Sequence, residues 1–118
     1  MLATLAFIAI ALVALSHVGF LVLEMFLWDR PIGRRIFGMT PEQSKFSAPL
    51  AASQGLYNGF LAAGLVWGLL SSNVPVITFF LVCVAVAGVF GGLTAKRSIL
   101  VMQALPALVA LALLYAAR

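Results

Sequence analysis

Six side chains in this sequence are of a type and in a place to do chemistry: His17, Glu24, Gln54, Tyr57, Asn58 and Gln103. Each interrupts a stretch made otherwise of Leu, Ala, Val, Phe and Gly. His17 and Glu24 are seven residues apart, about two turns at 3.6 residues per turn, so on a helix they share a face. Gln54 and Asn58 are four apart and share another, and Tyr57 adds a hydroxyl beside Asn58. A carboxylate and an imidazole can pass protons or hold a polar or cationic small molecule, with amides as neighbouring donors and acceptors.

Other chemistries find less support. A metal site needs several His, Cys or carboxylate ligands, and the chain has one His and one Cys. A nucleophilic centre needs its nucleophile beside an oriented base, and Ser16 and Ser53 sit in the wrong register. No Gly-rich phosphate loop joins a strand to a helix. The residues thus specify no catalytic set, no metal and no cofactor, and the reading leans away from an enzyme. Intramembrane amides also serve as hydrogen-bond glue between helices, worth about 0.6–2 kcal/mol, and Glu24 also lies within reach of a structural ion pair with Arg30, Lys96 or Arg97.

The elements that must position these groups follow from composition. The chain has 118 residues, 64% hydrophobic and 8% charged, and 46–95 contains no charged residue. A soluble domain is not built this way. A crossing needs about 20 apolar residues, and Ser71-Ser72-Asn73-Val74-Pro75 supplies a turn that divides the long uncharged block. The expected fold is all-α: an integral membrane four-helix bundle forming a single transmembrane domain over 1–118, with helices near 3–28, 49–70, 75–95 and 98–116. The first helix lacks the basic n-region of a signal peptide and is read as part of the mature chain. Cys83, the lone cysteine, falls in the third helix and forms no intramolecular disulfide.

Basic residues set the orientation. Arg30, Arg34, Arg35 and Lys45 fall between helices 1 and 2, Lys96 and Arg97 between helices 3 and 4, and Arg118 alone on the other side. Six against one places the loops 29–48 and 95–98 in the cytoplasm and both termini outside. Arg30, Arg34, Arg35, Lys96 and Arg97 are expected on lipid headgroups; the net charge of +4 does not point to nucleic acid. Thr40-Pro41-Glu42-Gln43 reads as a helix start, with a cap, Pro at the first helical position and Gln three residues after the cap. It predicts a short interfacial helix in the first loop. Before it, 30–38 alternates basic and apolar residues as a segment on the headgroups would.

Small residues recur at four-residue spacing in Gly55-xxx-Gly59, Gly64-xxx-Gly68 and Gly88-xxx-Gly92, which predicts close packing of helices 2 and 3, inside one bundle before a homo-oligomer. Counting about 1.5 Å per residue from cytoplasmic ends at Asp29, Ala48 and Ser98 puts Glu24, Gln54 and Gln103 about 7–9 Å in, and His17 and Asn58 about 15–18 Å in. Two polar layers lining one interior cleft are therefore expected.

The segments H17-x-x-F20-L21-x-L23-E24-M25-F26-L27-W28, F37-G38-M39-T40-P41, Q54-G55-L56-Y57-N58-G59-F60-L61-A62-A63-G64-L65 with Trp67, and Q103-x-L105-P106 resemble a family of small bacterial membrane proteins. That family is about 120 residues long, has four predicted helices and is catalogued only as a domain of unknown function. The resemblance implies the four-helix membrane fold and no established activity; the location expected is the bacterial cytoplasmic (inner) membrane. A fainter resemblance links Glu24 to the membrane-embedded Glu in the first helix of small multidrug resistance transporters; theirs lies nearer the membrane middle, and dual-topology members lack this charge bias.

The leading expectation is a small multi-pass membrane protein that binds or moves an unknown small solute or protons through a polar cleft. The alternative is a non-catalytic scaffold or accessory subunit that holds a partner through 30–47. A weaker third reading is a membrane enzyme on a lipid or quinone-like substrate, with His17 and Glu24 as acid and base.

Overall fold

Local signals in the sequence account for most of the helix ends. In the computed structural model, which describes residues 1–118, the chain forms α1 (Leu2–Met25), α2 (Pro31–Phe37), α3 (Pro41–Leu70), α4 (Val74–Thr94), a π-helical segment (Leu100–Ala104) and α5 (Leu105–Ala116), with no strand. At the start of α3, the Gln43 N–H donates to Thr40 Oγ1 at 3.1 Å and the Thr40 N–H donates to Gln43 Oε1 at 2.9 Å, so two otherwise orphaned donors are satisfied reciprocally. At the start of α4, the Val76 N–H donates to Asn73 Oδ1 at 3.1 Å. α2 ends at Gly38, whose φ of 64° is the left-handed conformation that glycine adopts without a Cβ penalty.

Two boundaries differ from the sequence reading. The helix expected to begin at Thr40 and the span expected from 49 are one continuous helix of 30 residues, with Pro49 inside it. Pro49 removes one N–H from the ladder, and the turns before it are fixed by side-chain bonds of Ser44 and Ser47. The short helix of the first loop is instead α2, within the segment read as an alternating surface stretch. The last helix begins with a π-turn: the Leu105 N–H reaches Leu100 O, and Pro106, next in line, has no N–H to offer an α-helical register.

The chain groups into two compact units. One comprises 1–15 and 61–118, and its core gathers Ile10, Val13 and Ala14 of α1, Leu65 of α3, Leu81 and Val84 of α4, and Ala107, Ala110 and Leu114 of α5. Small residues admit the close approaches within it: a Cβ on Gly88 would stand 2.5 Å from the Ala104 nitrogen, and one on Gly64 would meet the Phe80 ring at 2.4 Å. α4 is apolar on its outward side as well, with Phe79, Val86, Phe90 and Leu93 each more than 60% exposed. α1 and α4 are long and apolar enough to cross a membrane; Leu100–Ala116 is apolar but shorter.

The second unit, 16–60, joins the end of α1, all of α2 and the first part of α3. It carries most of the polar chemistry.

Candidate functional site

In the 16–60 unit, α1 supplies Glu24 and α3 supplies Asn58, and the Asn58 Nδ2 donates to Glu24 Oε1 at 2.5 Å. Small residues bring the two helices this close: a Cβ on Gly55 would meet Met25 Cγ at 2.7 Å and Glu24 Cβ at 3.0 Å, and one on Gly59 would meet Leu21 Cδ1 at 2.6 Å. The Gly55-xxx-Gly59 face therefore serves α1, not the third span that the sequence reading paired with it. Asn58 is 3% exposed, and its Oδ1 is buried without a hydrogen-bond partner. Glu24 is half-buried and in no ion pair, so the alternative reading of a structural salt bridge gains no support.

The Glu24–Asn58 bond also corrects the two-layer estimate, which had put Glu24 with Gln54 and Asn58 deeper. Met25 with Gly55, and Leu21 with Gly59, set the register of the antiparallel pair about one helical turn from the one assumed by matching Asp29 to Ala48. Of the other predicted residues, His17 is buried at 1% exposure, with Ser16 Oγ 3.3 Å from its Nδ1 and the Phe20 ring edge-on at 5.1 Å. It stands two turns, about 10 Å, from Glu24 along α1. Gln54 and Tyr57 are exposed, the Tyr57 ring lying against Phe60 at 6.0 Å. Gln103 is half-buried in the π-helical segment of the other unit.

A second polar centre was not anticipated. Asp29 Oδ1 accepts from Ser44 Oγ at 2.6 Å and from Arg34 Nη1 at 3.2 Å, the latter being the one ion pair of the structure. Ser44 is fully buried, and its one hydroxyl hydrogen is shared between Asp29 Oδ1 and the more distant Pro41 O at 3.2 Å. One turn on, Trp28 Nε1 donates to Ser47 Oγ at 2.9 Å, and the Trp28 ring packs on Phe37 at 4.7 Å. The signal was present: Ser44 and Ser47 are three apart on the first turns of a helix, facing whatever follows α1. Gly33 closes the arrangement, since a Cβ there would stand 2.0 Å from Leu27 O and 2.7 Å from Trp28 O. Arg30, Arg35 and Lys45 remain exposed, as do Lys96 and Arg97 between α4 and the π-segment. No three His, Cys, Asp or Glu side chains converge as a metal site would require.

The stretch from the middle of α1 to the end of α5, residues 11–115, matches the family described as protein of unknown function, DUF1304. The chain belongs to the DUF1304 family. The matched span includes the Glu24–Asn58 pair, the Asp29 centre and Gln103 of this DUF1304 protein. It is similar to the uncharacterized protein YpaA of Lactococcus lactis subsp. lactis (strain IL1403), 29% identical over 104 residues that cover 85% of this chain and 87% of the relative. No solved structure matches it.

Proposed function

We propose that this DUF1304 protein is a multi-pass protein of the bacterial cytoplasmic membrane that binds a small polar solute or protons at the Glu24–Asn58 pair. The membrane part of the reading rests on α4, which is apolar toward its core and toward its surroundings alike, as a span is and a soluble surface helix is not. The uncharged part of α3 from 46 onward and the apolar 100–116 stretch would supply the remaining crossings of a four-helix arrangement, with both termini outside and the basic loops in the cytoplasm.

The observation that carries the binding part is the unpartnered Asn58 Oδ1 beside an unpaired Glu24 carboxylate. Both are acceptors, so the site lacks donors or positive charge, and a proton or a donor-bearing solute would supply it. The purified chain in liposomes with an entrapped pH-sensitive dye tests this: Glu24→Gln is expected to insert normally and to abolish proton or proton-coupled flux. Equal flux in wild type and variant sinks the binding part.

The second reading, a scaffold or accessory subunit, is favoured by the Asp29 centre, which holds the 29–47 connection in one conformation as a partner surface would need. A stoichiometric partner that copurifies with wild type and is lost on deleting 31–38 would select it.

A further inference from the structure

Two kinds of arginine occur in α2 and at its N-cap, Arg30. Arg34 is spent inside the fold, its guanidinium bonded to Asp29. Arg30 and Arg35 are exposed and have no carboxylate partner. Ile32, Arg35 and Ile36 stand at i, i+3 and i+4, which places them on one face, and Ile32 and Ile36 are 48% and 50% exposed. Gly33, about 100° round the helix from Ile32, is held against the Leu27 and Trp28 carbonyls, so the helix cannot roll to hide its isoleucines.

An apolar pair alone would suit a protein partner or acyl chains equally. Arg35 on that face and Arg30 at the N-cap of the same helix, both without an ion-pair partner, select an occupant that is anionic at one end and apolar at the other. We propose that the outer face of α2 docks an anionic phospholipid, with Arg30 and Arg35 on its phosphate and Ile32 and Ile36 against the top of its acyl chains. The headgroup contact is thus concentrated on two arginines and excludes Arg34. The proposal rests on the membrane reading but not on the Glu24–Asn58 site.

The test uses the full chain in nanodiscs of mixed phosphatidylglycerol and phosphatidylcholine, extracted gently and weighed by native mass spectrometry for the lipid retained. Wild type is expected to retain phosphatidylglycerol preferentially, and the preference should fall about fivefold for each of Arg30→Gln and Arg35→Gln, the factor equivalent to about 1 kcal/mol per surface cation. Ile32→Ser with Ile36→Ser should weaken retention of both lipids, and Arg34→Gln should leave the preference intact. A double Arg30→Gln, Arg35→Gln variant that keeps the wild-type preference with unchanged circular dichroism overturns the proposal. So does displacement by inorganic phosphate as effective as displacement by short-chain phosphatidylglycerol, which would mark a free-anion site, or loss of the preference only in Arg34→Gln. Failure of wild type to enter nanodiscs of phosphatidylcholine alone would overturn the membrane reading, and this inference with it.

Discussion

Asn58 is bonded on one side only: its Nδ2 donates to Glu24 Oε1 across the α1–α3 contact while its Oδ1, on the same amide, is buried with no partner. An amide can satisfy both ends only if the surroundings offer both a donor and an acceptor, and here they offer an acceptor alone. The half-satisfied pair is the least self-sufficient polar contact in the 16–60 unit.

Glu24→Gln retains a carbonyl oxygen to accept from Asn58, so its unfolding midpoint in micelles is expected to stay close to wild type. Asn58→Leu takes away the carboxylate's donor and should cost about 1–2 kcal/mol, between the range for hydrogen bonds to charged groups and that for intramembrane bonds. An Asn58→Leu protein as stable as wild type would show that the bond contributes nothing net.

Gly33→Ala forces a methyl against two backbone carbonyls that cannot rotate away. The expected result is displacement of α2, at a cost of about 1–3 kcal/mol, seen as faster tryptic cleavage after Arg34 and Arg35. Cleavage at the wild-type rate would contradict the close approach.

The two bonds to Asp29 should differ in worth. Ser44 is fully buried, so Ser44→Ala removes a buried hydroxyl's bond to Asp29 Oδ1, leaving that oxygen to Arg34 alone, and should cost about 1–2 kcal/mol whatever the salt. The Arg34–Asp29 pair is partly exposed, and Arg34→Gln should cost less than 1 kcal/mol, diminishing as salt is added. Denaturant titrations of both variants at low and high ionic strength measure the contrast; equal losses at both salts would contradict it.

Two helix glycines make opposite forecasts for the same change. Nothing lies within 4 Å of a Cβ on Gly19, so Gly19→Ala should stabilise by up to about 1 kcal/mol through helix propensity alone. A Cβ on Gly88 would press on the Ala104 backbone at 2.5 and 2.9 Å, so Gly88→Ala should destabilise despite the same propensity gain. Thermal unfolding of the two variants side by side decides it.

Much of the local structure was legible in the sequence. The Thr40–Gln43 capping box, the 71–75 turn and the uncharged runs located helix boundaries and an all-helical chain, because those signals act over short stretches of neighbouring residues. α2 was not legible as a helix: seven residues with a basic and apolar alternation have no helical period long enough to detect, and what holds them is Gly33 on the carbonyls and Gly38 in a left-handed cap. The run of α3 through Pro49 was missed because proline is a local argument for a boundary, and the bonds that keep the preceding turns helical come from Trp28 and Asp29, well away in sequence.

The sequence by itself determined which faces the polar residues occupy: Glu24 with His17 on one helix, Asn58 with Gln54 on another, and the basic residues in two loops. Periodicity sets faces and says nothing of the level at which two antiparallel helices meet. Tertiary structure decided that level through Gly55 and Gly59 against Leu21 and Met25, and a shift of about one turn from the counted register joined Glu24 to Asn58 while leaving Gln54 and Tyr57 exposed. It also separated Arg34 from Arg30 and Arg35, residues identical in chemistry and nearly adjacent in the chain, because Arg34 alone bonds the Asp29 carboxylate that Ser44 also holds. Such choices are made by partners distant in sequence, and no window of neighbouring residues contains them.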